Sequence, residues 1–321
     1  MSDALHLQHL YKRYARRQAV RDLSLRVPVG AIYGILGPNG AGKSTTLRMV
    51  MNIIGSDAGT IEVLGEPPAV HGVLRRVGYL PEERGLYRRM SVLDVIVFFG
   101  RLKGLARADA RRRAAIWLER LGLGDWRHAR VETLSKGMQQ KVQFITTVLH
   151  DPDLLILDEP HSGLDPVNQE VLRETILGAR GAGRTIVLST HNMEQAEALC
   201  DSVCIIADGE KVLDGSVAEV RRAHRGRRYR LRIDPTLSAS ALPALRQLLQ
   251  RAGTAFVCSD DEAHWELELA PGGARELLGA IAGLELELES FERVTPTLHE
   301  IFLQHAGETA RRVPRDEVPD A

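Results

Sequence analysis

The chain has 321 residues, 44% hydrophobic and 26% charged, which is the balance of a globular protein with enough core for about two domains. Lysine plus arginine total 42 and aspartate plus glutamate total 42, so zero net charge provides no overall field for holding nucleic acid. Three cysteines are too few for a disulfide framework, and no apolar run approaches the ~20 residues of a membrane helix.

Two kinds of strand are predicted in the first two thirds of the chain. Alternation of apolar and polar residues predicts half-buried antiparallel strands at 5–7, 23–27 and 61–63. Continuous apolar runs predict strands buried on both faces, as in a parallel sheet, at 31–36, 154–157 and 185–189. The mixture predicts an α/β domain.

Between about 88 and 150 the pattern becomes helical. Ser91 is the predicted cap of a helix over 92–102, because its hydroxyl can accept from a free N–H of the first helical turn. The helical stretch lies inside the α/β pattern. We therefore predict a first domain over 1–222 with a helical subdomain at about 88–150.

A second, smaller domain is predicted over 227–305, after a basic junction that we interpret as a solvated linker. Strands are predicted at 229–233, 255–258, 265–269 and 284–288, and helices at 240–250 and 274–282. This βαββαβ order is typical of an α+β ferredoxin-like sandwich. The leucines of 284–288 must be buried, within this sandwich or against a second copy, so we favour a dimerisation or regulatory role over ligand sensing. The tail at 306–321 is predicted to be disordered.

A phosphate-binding loop is the strongest chemical signal. It follows the pattern G-x-x-x-x-G-K-[ST] between a predicted strand and a predicted helix. Glycines let backbone N–H groups approach phosphates, Lys43 can reach the β- and γ-phosphates, and the Ser44 hydroxyl can ligate Mg²⁺. The nucleotide-binding candidates here are Gly37, Pro38, Asn39, Gly40, Ala41, Gly42, Lys43, Ser44 and Thr45.

Two carboxylates end the buried run at 154–157. Ligands bind at the carboxyl edge of open α/β sheets, so Asp158 and Glu159 emerge where a phosphate loop would present ATP. Asp158 is a candidate Mg²⁺ ligand, and Glu159 is a candidate base for the attacking water. Alone this pattern is weak, since strand-then-acid occurs in many cores, but it is strong after a phosphate loop.

The remaining motifs resemble those of the ATP-binding-cassette (ABC) ATPases, in that family's order. The run 134–141 is similar to the signature motif, with Ser135 and Gly137 facing a γ-phosphate. The run 162–165, which ends at Asp165, resembles the D-loop, and His191 matches the switch histidine. Tyr14 falls where the family stacks an aromatic ring on adenine. The resemblance covers roughly residues 4–222.

The resemblance implies a P-loop NTPase cassette with a mixed sheet core, an antiparallel β subdomain and a helical subdomain. It implies ATP and Mg²⁺ as cofactors and a dimer in which each ATP lies between two chains. It also implies a separate integral membrane permease that docks on the helical segment 87–104, with this chain peripheral on the cytoplasmic face of the cell membrane. The run 81–87 and the second domain resemble the exporters of sodium ions, antibiotics or other drugs.

Two positions depart from the family pattern. Glu82 stands where the Q-loop usually carries glutamine. A carboxylate can still ligate Mg²⁺, but it adds negative charge beside phosphates. His161 stands where an aromatic or small residue is common.

The alternative interpretation is a soluble ABC ATPase that acts on ribosomes or DNA. Ribosome-acting members usually carry two cassettes, whereas this chain has a single phosphate loop. Chromosome-type members insert long coiled coils, and no sustained heptads occur between Lys43 and Asp158. Because every catalytic position is filled, a purely regulatory module is also disfavoured. We expect no nucleic-acid partner.

Overall fold

The computed structural model describes residues 3–312 except 16, 84, 237, 252 and 253, with side chains up to 305. The chain folds as two units: the first comprises the residues up to Val217 together with the segment that begins at His305, and the second comprises Ala218–Gln304. The strands of the first unit are β1 (Asp3–Tyr14), β2 (Arg17–Pro28), β3 (Ile32–Leu36), β4 (Ala58–Val63), β5 (Val77–Leu80), β6 (Leu154–Asp158), β7 (Thr185–Thr190), β8 (Ser202–Ala207) and β9 (Glu210–Ser216). Its helices are α1 (Lys43–Val50), α2 (Val92–Leu102), α3 (Arg107–Arg120), α4 (Lys136–Val148), α5 (Pro166–Gly181) and α6 (Met193–Leu199). Helix α7 (Val217–Ala223) begins at the boundary between the units.

The first unit contains the two predicted kinds of sheet. An antiparallel sheet has the order β2-β1-β4, and its alternating leucines face the core. A six-stranded sheet has the order β5-β6-β7-β3-β8-β9, parallel except for β9 at its edge. Leu36 pairs with Thr190, and Asp158 pairs with Ser189. The carboxyl ends of β3, β6 and β7 therefore meet at one edge, where the site lies.

The helical stretch forms α2, α3 and α4. Ser91 caps α2 as predicted, because its Oγ accepts from the Asp94 N–H at 3.1 Å. Ser135 caps α4 in the same way, accepting from the Met138 N–H at 3.3 Å.

The second unit contains β10 (Arg228–Ile233), α8 (Leu242–Arg251), β11 (Ala255–Cys258), β12 (His264–Glu268), α9 (Gly273–Ile281) and β13 (Leu288–Arg293). Its antiparallel sheet has the order β11-β12-β10-β13. In chain order, the first and third strands (β10 and β12) are central and the second and fourth (β11 and β13) lie at the edges, which is the ferredoxin-like arrangement. Trp265, fully buried, lies in its core with leucines from both helices.

Two details of this unit differ from the expectations. The last strand is 288–293 and not 284–288, because pairing with β10 selects Leu288 opposite Ile233 and Arg293 opposite Tyr229. Leu284 and Leu286 pack on the unit's own core, and Leu288 is 40% exposed, so 284–288 forms no single buried face. A final helix, α10 (Leu298–Arg312), includes the first seven residues of the predicted tail, and 313–321 lie outside the described residues.

Candidate active site

The phosphate loop connects β3 to α1, which begins at Lys43. Gly40 and Gly42 have φ of 79° and 106°, in the left-handed region that favours glycine. A Cβ on Gly42 would lie 2.3 Å from the carbonyl oxygen of Ala19. The loop therefore needs glycine at 42 for both conformation and space.

Lys43 is buried, with 5% of its surface exposed. Its Nζ donates to the carbonyl oxygens of Gly37 at 2.8 Å and Pro38 at 3.2 Å, and lies 3.4 Å from Glu159 Oε1. A buried ammonium needs such partners, because an unpaired charge away from water is costly. The cation is thus held at the loop, beside the carboxylate that follows β6.

Asp158 is linked to the phosphate loop by its side chain. Its Oδ1 accepts from Ser44 Oγ at 3.1 Å and from Ser189 Oγ at the end of β7. Burial raises the pKa of Asp158, while the hydrogen bonds from Ser189 and Ser44 act in the opposite direction.

The other oxygen of this carboxylate, Oδ2, is buried and has no hydrogen-bond partner among the described residues. An orphaned carboxylate oxygen beside a serine hydroxyl is the donor set that Mg²⁺ uses with substrate phosphates. Across the part of the chain that the structure describes, no group of three or more His, Cys, Asp or Glu could hold a metal. The residues present therefore fit a magnesium ion that takes most of its ligands from phosphate and water.

Glu159 and His191 form the second pair of the site. His191 Nδ1 lies 3.0 Å from Glu159 Oε2. The Glu159 backbone has φ of 48° and its N–H donates to Ser189 Oγ at 3.1 Å and to the Ser189 carbonyl at 3.2 Å. A non-glycine residue in this region is uncommon and is held here by β7. The carboxylate is 7% exposed and lies between Lys43 and His191.

Lys43, Ser44 and Glu159 line one cleft of about 450 Å³. Asp158 and His191 are not part of its lining and are joined to it through their bonds with Ser44 and Glu159. Tyr14, at the end of β1, lies at its wall with 47% of its surface exposed. A half-exposed ring at the mouth of a phosphate-loop cleft can stack on a planar base. The lining residues predicted from the sequence are Tyr14, Asn39, Gly40, Gly42, Lys43, Ser44, Thr45, Glu82 and Glu159.

Comparison with known proteins shows the family of the chain. Residues 20–162 match the family described as ABC transporter, and residues 215–306 match the DrrA1-3-like ATP-binding protein C-terminal domain. The ABC transporter ATP-binding protein YhaQ of Bacillus subtilis, described as uncharacterized, is 38% identical over 303 residues, or 94% of this chain and 98% of that protein. The chain belongs to the ABC transporter ATP-binding proteins.

Two further similarities concern the sequence of both units and the fold. The daunorubicin/doxorubicin resistance ATP-binding protein DrrA of Streptomyces peucetius is 33% identical over 313 residues, 96% of this chain and 93% of that protein. A solved ATP-binding subunit of an ABC transporter, 31% identical, has a TM-score of 0.65 and covers 68% of this chain and 92% of that one. As a member of this family, the subunit hydrolyses ATP to power a membrane permease. Among its described residues, no helix combines the length and the hydropathy needed to cross a bilayer.

Three predicted residues of this ABC subunit lie apart from its own cleft. Ser135 and Gly137 are at the start of α4, and Asp165 caps α5 by accepting from the Asn168 N–H at 3.0 Å. None of the three lines the cleft that holds the phosphate loop. The backbone of α4 nevertheless presents a helix N-terminus, which is a favourable place for an anion.

Glu82 lines the cleft of the ABC subunit, but its side chain is exposed. The loop around it is fixed from α4, where Gln143 Nε2 donates to the carbonyl oxygens of Pro81 at 3.1 Å and Glu83 at 3.2 Å. The position of this loop is therefore set by the helical subdomain.

Sequence reasoning missed two polar residues of this site. Ser189 holds both Asp158 and the Glu159 backbone, and the polar end of the apolar run 185–189 was a usable signal for it. Arg17 lines the cleft and donates to the Gly40 carbonyl at 2.7 Å. Nothing in its sequence context distinguishes Arg17 from the neighbouring arginines.

Proposed function

We propose that this subunit powers the export of a drug-like or other small molecule by closing and opening around ATP. One observation carries the proposal: Lys43 and Ser44 of the phosphate loop contact Glu159 and Asp158, which lie far away in the sequence, at a single cleft lined by Lys43, Ser44 and Glu159. Similarity to a drug-resistance ATP-binding protein over both units supports the cargo class. The comparisons give no support to an action on ribosomes or DNA.

Each cleft residue has a distinct role in holding Mg-ATP. Tyr14 stacks on the adenine, and the loop N–H groups and Lys43 neutralise the β- and γ-phosphates. Ser44 and Asp158 hold Mg²⁺, with Glu82 as a further candidate that reaches it when its loop closes. When bound, this ion neutralises charge that develops on the phosphates.

Hydrolysis depends on Glu159 and His191. Glu159 accepts a proton from the attacking water, and His191, 3.0 Å away, orients the carboxylate and contacts the γ-phosphate. The close pairing of Lys43 with Glu159 also means that phosphate binding must redirect the ammonium, which leaves the carboxylate available as a base.

A second copy of the chain completes the site. Ser135, Gly137 and Asp165 lie outside the chain's own cleft, so they act on the ATP held by the partner copy. The N-terminus of α4 then closes over the γ-phosphate from the opposite side. The dimer opens when hydrolysis removes this shared anion.

The permease docks in a cavity of about 590 Å³ beside the helical subdomain. Its wall includes Phe99 and Leu102 of α2 and Leu86, all within or next to the segment expected to dock. Leu102 is 60% exposed, and Gln143 joins this wall to the loop that carries Glu82. A permease segment held here can therefore sense the loop, and the subunit sits on the cytoplasmic face of the membrane.

The test of this function is Glu159→Gln, which keeps size and hydrogen bonding but removes the base. We expect ATP binding within about twofold of wild type, turnover reduced at least ~100-fold, and an ATP-bound dimer on gel filtration. Glu170→Gln, an exposed carboxylate of α5 paired with Arg173, is the matched control and should hydrolyse normally. Hydrolysis near the wild-type rate in Glu159→Gln would refute the role of Glu159.

A further inference from the structure

Arg17 lies between Tyr14, the predicted adenine-stacking residue, and the phosphate loop. It pairs directly with Tyr14 at the end of the β1–β2 hairpin, and directly paired residues project from the same face of a sheet. Its guanidinium donates from Nη2 to the Gly40 carbonyl at 2.7 Å. The side chain thus joins the wall that carries Tyr14 to the phosphate loop.

The donor capacity of Arg17 exceeds what the protein uses. A guanidinium has five N–H groups. Among the described residues, the Gly40 carbonyl is the acceptor that it reaches, and the side chain is exposed at the cleft. The other lining cation, Lys43, is occupied by two carbonyls and Glu159. Arg17 is therefore a cation of the cleft lining whose other N–H groups have no protein acceptor among the described residues.

The position of this charge selects one part of the nucleotide. With the base on Tyr14 and the β- and γ-phosphates at Lys43, the ribose and α-phosphate must cross the space between them, beside Arg17. We propose that Arg17 is a nucleotide-binding residue whose positive charge holds the α-phosphate. This inference rests on the proposed function and adds to it a binding residue that lies outside the recognised motifs.

The experiment distinguishes two roles of Arg17: binding the α-phosphate through its positive charge, and holding the phosphate loop through its hydrogen bond to the Gly40 carbonyl. Arg17→Gln retains an N–H donor for the Gly40 carbonyl but removes the charge, whereas Arg17→Lys retains the charge. We expect Arg17→Gln to raise the Kd for ADP, measured by calorimetry, and the KM for ATP by about tenfold, with kcat within about twofold. Arg17→Lys should recover part of this loss. The matched control is Arg21→Ala on the same strand. Arg21 is exposed, lies 3.6 Å from Glu210 and is not part of the cleft lining, so this variant should bind ADP as the wild type does.

Two results would overturn the inference while leaving the proposed function intact. If Arg17→Gln binds ADP as wild type does while Arg17→Ala does not, Arg17 supports the loop and does not read the phosphate. If both variants bind ADP as the wild type does, Arg17 neither supports the loop nor binds the phosphate. A wild-type chain that binds no ATP would instead refute the proposed function itself. The thermal midpoint of each variant without nucleotide checks that the fold is intact.

Discussion

The charged side chains of the two units differ in how much of their surface is exposed to water. In the first unit Lys43, Asp158 and Glu159 are 5%, 1% and 7% exposed, and their side chains contact one another or the phosphate loop. In the second unit Arg230 lies between Glu266 at 3.1 Å and Glu292 at 3.7 Å, and all three side chains are 40% exposed or more. Buried charges are costly to fold, whereas exposed pairs contribute only ~0–1 kcal/mol and cost little.

This contrast indicates where the chemistry is. Asp158 has a buried carboxylate oxygen without a hydrogen-bond partner among the described residues, which is costly for folding. A residue of this kind is typical of a binding or catalytic site, where a ligand supplies the missing partner. The second unit shows no comparable group: Ser238 is its buried polar side chain among the described residues, and its Oγ accepts from the Glu287 N–H. We therefore expect catalysis in the first unit and an accessory role for the second.

Removing a buried cation should have the largest effect. Lys43→Ala takes away the charge that faces the β- and γ-phosphates, and we expect ATP affinity measured by calorimetry to fall at least ~100-fold. Its counterpart in the second unit is Arg232→Ala, which breaks an exposed pair with Glu289 at 3.2 Å and should change neither ATP affinity nor stability by more than ~1 kcal/mol. Equal effects of the two substitutions would contradict the contrast between the units.

The docking cavity offers a second test within the first unit. Leu102→Glu puts a charge on an apolar wall, and we expect at least ~10-fold weaker co-purification with a neighbouring-gene membrane protein of about six spans. ATP hydrolysis by the isolated subunit should be unchanged. Ile116→Glu on α3, 57% exposed and outside the cavity lining, is the control. If both variants copurify as wild type does, the permease docks elsewhere.

The proposed composite site predicts a several-fold recovery of activity in mixtures. Lys43→Ala spoils the phosphate loop, and Ser135→Arg places a bulky cation at the start of α4, so each variant alone lacks one half of every site. A mixed dimer regains one intact site, and ATPase activity should rise several-fold above the mean of the two variants. The mixture must first be shown to contain mixed dimers by differential tagging. Activity that stays at the mean would argue against sites shared between chains.

The smallest effect on ATP is expected from the second unit. A chain that ends at His224 should bind ATP within about twofold of the full chain, because the cleft residues all precede that point. If the unit holds the dimer while the ATP sites are open, association without nucleotide should weaken. Equal association by analytical ultracentrifugation would leave ligand sensing as the better account of this unit.

The motif residues could be predicted from the sequence because their signals are local. A glycine loop between a buried strand and a helix, and acids after an apolar run, depend on residues adjacent in the chain. Strand type also followed from local alternation, and Ser91 was recognisable as a cap from the helical pattern that follows it. In the second unit, local patterns predicted the order of elements that the ferredoxin-like sheet has.

Pairing partners were decided only in three dimensions. The alternation at 284–288 suited a strand, but backbone hydrogen bonding to β10 placed the strand at 288–293. Arg17 looks like any exposed arginine until the β1–β2 hairpin brings its guanidinium to the Gly40 carbonyl. Ser135 and Gly137 match the signature motif in sequence, yet the fold places them outside their own cleft. Sequence patterns report which residues can perform the chemistry, whereas strand register and side-chain reach, which depend on distant parts of the chain, determine which residues meet.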